Sequence, residues 1–184
     1  MDYNHVEPAR KVLSELGFCL ASAPRIAEAR AQAARLVGEG ITSADSLISL
    51  QAWTRCSTFI LDAPDGRLAG IVSIIPLRAE GLASLERGEF DAIHPDPALA
   101  CSPTDLAAAF YGWGMAGLTW RGRISVVHAA LALQREVFAT VPFFSRAATF
   151  EGETVLLNRM GARPHPASGG LVWAPAYSPD RKAA

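Results

Sequence analysis

Apolar residues recur at helical spacing from the start of the chain. Val6, Ala9, Val12, Leu13 and Leu16 share one face, and Gly17 stands where a helix-ending residue belongs, which predicts a helix over residues 6–16. Residues 18–21 then read as a short strand. Ser22 followed by Pro24 opens a second helix, whose stripe of Ile26, Ala29, Ala33, Leu36 and Val37 runs to Gly38. Its other face carries Arg25, Glu28, Arg30 and Arg35, the charge pattern of a solvated surface. A third, short helix is expected near residues 44–52. Residues 58–63 and 68–76 are β-rich runs around Pro64, Asp65 and Gly66, whose turn chemistry joins antiparallel strands.

The second half is read the same way. Residues 77–103 are mixed and polar, with EFDAIHPDP in their middle. Residues 123–139 are helical, with Ile124, Val127, Leu131 and Phe138 roughly aligned. Residues 143–148 are a strand, 151–160 a helix stopped by Gly161, and 171–174 the last strand. Between 102 and 118 two periods compete. Ser102, Pro103 and Asp105 fit the first positions of a capped helix. From Ala109 onward, however, strict alternation puts Tyr111, Trp113 and Met115 on one side and Phe110, Gly112, Gly114 and Ala116 on the other. Two glycines inside a helix would cost about 1 kcal/mol each relative to alanine. The reading is therefore a short capped turn and then a strand over 108–118 with one bulky and one bare face. A glycine within a strand marks a bulge or the close approach of a backbone or ligand. The order of elements predicts an α/β (α+β) chain, a mixed sheet with helices on both faces.

Composition narrows this further. With 184 residues, 50% hydrophobic and 19% charged, the chain suits a single domain over 1–184, with a loose tail at 178–184. Lys and Arg number 17 against 18 acidic residues, so no overall field draws nucleic acid or an anionic membrane. Apolar runs stay short of a membrane span and residues 1–11 lack a secretory apolar core, so a cytoplasmic location is expected. Cys19, Cys56 and Cys101 are odd in number and widely spaced, which argues for buried thiols rather than a disulfide framework or zinc ribbon.

The chemistry concentrates at TWRGRIS, residues 119–125, at the mouth of a helix. Unpaired N–H groups and the helix dipole favour an anion there, with Arg121 and Arg123 adding charge and the N–H groups from Gly122 to Ser125 available to phosphates. A strand, an Arg- and Gly-containing turn, a helix, a strand and a last helix ending in glycine resemble the GNAT superfamily of acyl-CoA-dependent N-acetyltransferases. That family's pyrophosphate loop reads Arg or Gln, two residues, Gly, one residue, then Gly or Ala. Here Gly122 matches, while Thr119 and Ile124 depart from the pattern. Downstream, FFSRAATFEGETVLLNRMGARP looks like the family's fifth strand, following helix and terminal turn, with Ala162 in place of the usual phenylalanine. The resemblance covers element order over most of the chain and motif over about residues 106–164.

The resemblance implies a mainly antiparallel central sheet whose fourth and fifth strands splay, and acetyl-CoA or another acyl-CoA as co-substrate with no metal. It implies a cofactor site at Met115, Gly117, Leu118, Arg121, Gly122, Arg123, Ile124 and Ser125, and an amine acceptor, small molecule or protein. The family often uses a tyrosine four residues before its terminal glycine as general acid, a position held here by Leu157. The candidate catalytic groups are therefore Tyr111 on the strand, Ser145 on the next strand, and His94, with Glu89 and Asp91 beside it in a candidate acceptor pocket. A metal at Asp91, His94 and Asp96 is disfavoured by Pro95 and Pro97, which break any helix that would align them. His128 reads as a half-buried structural residue, and His5 and His165 as uninformative. The departures at Thr119, Ile124 and Leu157 motivate an alternative: a catalytically inactive acyl-CoA-binding or regulatory module. A homodimer using Trp173 is a third reading.

Overall fold

A computed structural model describes residues 5–166 and 170–176, so the expected loose tail lies outside the described residues. Among them, six α-helices surround one seven-stranded sheet. The elements run α1 (Val6–Glu15), β1 (Cys19–Leu20), α2 (Ala23–Val37), α3 (Ala44–Thr54), β2 (Thr58–Asp62), β3 (Leu68–Leu77), α4 (Ala79–Glu86), β4 (Ala109–Gly117), α5 (Trp120–Ala132), β5 (Phe143–Arg146), α6 (Phe150–Asn158), β6 (Arg163–Pro164) and β7 (Leu171–Ala174). The sheet order is β1-β2-β3-β4-β5-β7-β6. Every neighbouring pair is antiparallel except β4 and β5, which are parallel because α5 carries the chain back between them. No described helix is long and apolar enough to cross a membrane.

Both faces of the sheet are covered. On one, α1, α5 and α6 pack over Phe59, Val72, Ile74, Phe110 and Phe143. Phe110 stacks between Phe138 and Phe143, at centroid distances of 4.3 and 5.4 Å. On the other face, α2, α3 and α4 cover Ile60, Ile71, Ile75, Tyr111 and Phe144. The hairpin closes as its turn chemistry predicts. Gly66 takes φ 78°, Ala63 N donates to Arg67 O at 2.8 Å, and the Asp65 carboxylate, which accepts from Arg67, titrates below the usual aspartate range.

Four expectations need correction. Residues 77–103 are not shapeless: they hold α4 and a 3₁₀ turn at Pro97–Leu99. Gly81 disguises α4, and its place is set by a crossing, because a methyl group there would lie 2.5 Å from Leu99 O. In α2, Leu36 and Val37 are 55% and 39% exposed although Val37 is in phase with Ile26, so the last turn outruns its cover. Only Cys56 and Cys101 are buried, with thiols pushed up to about 12 by burial, whereas Cys19 on the short edge strand is exposed.

The fourth correction concerns β4. Ser73 pairs with Gly114 and Ile74 with Gly112, so Trp113 is an extra residue, a β-bulge. The bulge shifts the side-chain phase. Tyr111 and Trp113 pack on the α2–α4 side, but Met115 packs on the α1–α5 side. The single bulky face expected from alternation is thereby divided between the two layers.

His5, silent in the sequence, is 1% exposed beside Phe138, and neither ring nitrogen has a hydrogen-bond partner among the described residues. Burial pushes its pKa below the ordinary 6.5, and the Asp105 charge opposes that only in part. The unfolded chain therefore binds the proton more readily than the folded one. Stability is full above about pH 6.5 and falls as pH drops through it, by up to about 1.4 kcal/mol per pH unit. Urea titrations at pH 7.5, 6.5 and 5.5 are expected to lose part of this slope in His5→Leu; an identical slope in the variant overturns the assignment.

Candidate active site at the end of the β4–β5 pairing

β4 and β5 pair over three residues only: Phe110 with Phe143, Tyr111 with Phe144, and Gly112 with Ser145. β5 ends one residue later, while β4 continues to Gly117. From Trp113 to Gly117 the β4 edge that faces β5 is thus left without a strand partner among the described residues. The last rung is reinforced by the Ser145 hydroxyl, which donates to Gly112 O at 2.9 Å. The bulge sits at the same point, next to the last rung that β4 shares with β5. The Trp113 indole N–H donates to Ala92 O at 2.7 Å and the Thr42 hydroxyl to the same oxygen at 2.9 Å, which ties the 89–97 loop to the sheet.

The turn after β4 is tight. Leu118 N donates to Ala69 O at 2.8 Å. A methyl group on Gly122 would lie 2.7 Å from the Ala69 carbonyl carbon and closer still to its oxygen, and one on Gly117 would run into Arg123. These two glycines therefore bring α5 against β3 and β4, a packing role. α5 also begins at Trp120, earlier than periodicity suggested, with Thr119 as its cap. The Thr119 hydroxyl accepts from Gly122 N at 3.0 Å and Thr119 O from Arg123 N at 2.9 Å. The N–H groups expected to cradle phosphate, Gly122 to Ser125, are consequently engaged in the cap and the first helical turn. Those left uncommitted at the helix start belong to Trp120 and Arg121. The side chains of Arg121, Arg123 and Ile124 are exposed, Ser125 is half-buried, and Met115 and Leu118 are half-buried against the two core layers.

The three catalytic candidates are not brought together. Tyr111 is 3% exposed, packed 5.2 Å from the Phe90 ring, and burial raises its pKa while Arg146 opposes. It faces the side of the sheet opposite Ser145, whose hydroxyl is buried and engaged. His94 lies on the exposed loop, its Nδ1 3.2 Å from Asp91 Oδ2, while Asp91 Oδ1 accepts from the backbone N–H of Ile93 and His94. Those hydrogen bonds also hold the Asp91 carboxyl below its usual range. Asp96 caps the 3₁₀ turn through Ala98 N, and Glu89 pairs with Arg87. The acceptor-pocket candidates are thus engaged in shaping their own loop. Leu157 packs against the core, and His128 is exposed rather than half-buried. Trp173 is occupied within the chain, stacked on Phe144 at 6.4 Å with Arg163 over its ring.

One feature escaped the sequence reading. α6 begins as α5 does, with Thr149 as cap accepting from Gly152 N at 3.1 Å. The starts of the two helices read Thr119-Trp120-Arg121-Gly122-Arg123 and Thr149-Phe150-Glu151-Gly152-Glu153. They share a cap, an exposed aromatic at the first position and a glycine at the third, and they differ in charge. Both follow the strands of the parallel pair, the end at which ligands bind in parallel sheets. Compared with known proteins, the chain matches no family model, and no similar protein was found among curated sequences or solved structures.

Proposed function

We propose that the chain binds an acyl-CoA in the opening between β4 and β5 and transfers its acyl group to an amine, as the GNAT resemblance implies. The observation that carries this reading is the parallel pair that joins for three residues, after which β5 ends while β4 runs on to Gly117. The free edge of β4 offers N–H and C=O groups to the amides of a pantetheine arm, as a missing strand would be paired. The Trp120 and Arg121 N–H groups and the guanidinium groups of Arg121 and Arg123 suit phosphate at the far end. Backbone N–H groups near the bulge suit a thioester carbonyl that becomes an oxyanion. In the reaction a neutral amine attacks, the C–N bond forms, the C–S bond breaks, and the amine proton ends on the departing thiol. Positioning supplies most of the rate in this reading, because Tyr111 and Ser145 are committed elsewhere.

That commitment also favours a second reading, a module that binds acyl-CoA without turnover. Calorimetry with CoA tests both at the first step, and binding is expected. Single-turnover mixing of the acetyl-CoA complex with a panel of amines then separates them: release of free thiol supports the enzyme, and tight binding without release supports the module. Absence of CoA binding overturns both.

A further inference from the structure

We propose that the attacking amine arrives on the α2–α4 face of the sheet, over Gly114, and that the Ser73 hydroxyl seats it there. This rests on the acyl-transfer reading and deepens it by naming the residue that holds the second substrate. The α2–α4 face is apolar on either side of one polar rung. Ile60, Ile71 and Ala116 make one cross-strand row, and Ile75 with Tyr111 makes another. Between them Thr58 on β2, Ser73 on β3 and Gly114 on β4 stand in line. The polar row divides the apolar layer into two clusters, one around Ile71 and one around Ile75. Hydroxyls buried where isoleucine or valine would join those clusters cost stability unless they are fully hydrogen-bonded. These are not. Ser73 and Thr58 are 4% and 1% exposed, and Ser73 Oγ donates to Thr58 Oγ1 at 3.5 Å, longer than a well-formed bond between hydroxyls. The Ser73 lone pairs and the Thr58 hydroxyl proton have no partner among the described residues.

The row is closed at one end and open at the other. α3 covers the β2 end, where Gln51 Oε1 accepts from Thr58 N at 3.0 Å. At the β4 end Gly114 is exposed although its strand is the fourth of seven, and a methyl group on it would find no described neighbour within 4 Å except Ser73 Cβ, at 3.9 Å. The bulge makes this notch: Trp113 and Gly114 are consecutive yet both face the α2–α4 side, and the Trp113 indole is tied to Ala92 O at 2.7 Å. Gly114 also belongs to the Trp113–Gly117 stretch of β4, whose other edge β5 leaves unpaired. One strand spacing, about 4.8 Å, separates it from the line a ligand follows along that edge. An amine over Gly114 therefore approaches the acyl carbon from the face of the sheet, while the pantetheine arm lies in its plane. Ser73 Oγ accepts one N–H of the neutral amine and so fixes the direction of its lone pair. That pair forms the C–N bond, the C–S bond breaks, and the proton shed by nitrogen ends on the thiol.

Hydroxylamine, a minimal amine that is largely unprotonated at neutral pH, is the probe, and thiol release from acetyl-CoA above the uncatalysed reaction is the readout. Ser73→Ala is expected to lower the second-order rate for hydroxylamine about tenfold, the worth of one hydrogen bond, with CoA affinity by calorimetry unchanged. Gly114→Val fills the notch and is expected to lower that rate about a hundredfold, with circular dichroism confirming the fold. The double variant Thr58→Val/Ser73→Ala should unfold at the parent's urea midpoint or above it, because replacing both partners of a poor buried hydrogen bond by apolar groups is neutral or stabilising. A double variant whose midpoint falls while its hydroxylamine rate holds marks a purely structural pair and overturns the proposal. If CoA binds and the parent releases thiol while Ser73→Ala and Gly114→Val keep the parent rate, this proposal alone falls. CoA binding without release to hydroxylamine favours the binding module and also overturns it. Absence of CoA binding overturns the acyl-transfer reading, and the seat for the amine with it.

Discussion

Gly122→Ala is expected to lower the unfolding free energy by about 3 kcal/mol, near the upper end of what forced overpacking costs. The added methyl group would meet the backbone carbonyl of Ala69, 2.7 Å from its carbon and closer to its oxygen. That carbonyl belongs to Ala69, the bulged residue of β3 opposite the Leu61–Asp62 step, and it accepts from Leu118 N, so swinging it away would break the bond that closes the turn after β4. α5 must move off the sheet instead, which opens the contacts of Val126 and Ala129 in the core. Gly114→Ala is the control. Its methyl group would have only Ser73 Cβ at 3.9 Å for company, and its stability should stay within about 1 kcal/mol of the parent. Urea denaturation with matched m-values measures both. A Gly122→Ala protein as stable as the parent would show that α5 does not start against β3. For the same reason a substitution at Gly122 is a poor probe of ligand binding, since it perturbs the scaffold first.

The paired reversal Arg121→Glu and Arg123→Glu is the cleaner probe, and it is expected to weaken CoA binding by about a hundredfold or more. Each lost charge-assisted hydrogen bond to phosphate is worth about 1.5–3 kcal/mol, and the new carboxylates repel what remains. Stability should hold or rise by a few tenths of a kcal/mol, because acids in a first turn agree with the helix dipole. The reversed start would read Thr-Trp-Glu-Gly-Glu, the charge pattern that α6 already folds with behind the same threonine cap. Binding that falls while the melting temperature stays level is the signature of a ligand contact. Pantetheine lacking the nucleotide should bind both forms alike. CoA affinity unchanged by the reversal would move the phosphates away from α5.

Much of the candidate site was legible along the chain. TWRGRIS reads as a helix mouth, and in the fold Arg121 and Arg123 lie in the exposed first turn of a capped helix. What the local pattern missed was the first residue of that helix. Thr119 departs from the loop motif of the family that the sequence resembles, yet a threonine is a good cap, and its hydroxyl engages the Gly122 amide, one of those expected to meet phosphate. The matching start at Thr149 was equally visible as a repeated Thr-aromatic-x-Gly. The catalytic candidates fared differently: residue type alone nominated Tyr111, Ser145 and His94, and type says nothing of the register that sets Tyr111 opposite Phe144 and so turns it to the other side of the sheet from Ser145.

By itself the sequence determined the elements whose signals lie among near neighbours: the amphipathic α1, the Pro-Asp-Gly hairpin, the strand nature of β4 against a competing helical start, and the charged opening of α5. Periodicity, turn residues and caps act over a few positions, so one short stretch suffices to specify them. Only the tertiary structure decided the bulge at Trp113, the three-residue limit of the β4–β5 pairing, the burial of His5 and the packing role of Gly122. Each depends on a partner remote in the chain: Ser73 and Ile74 across from the bulge, Ser145 at the last rung, Phe138 over the histidine, Ala69 beneath the glycine. Such choices are made by which backbones and side chains come to share a volume, and a local pattern carries no record of that.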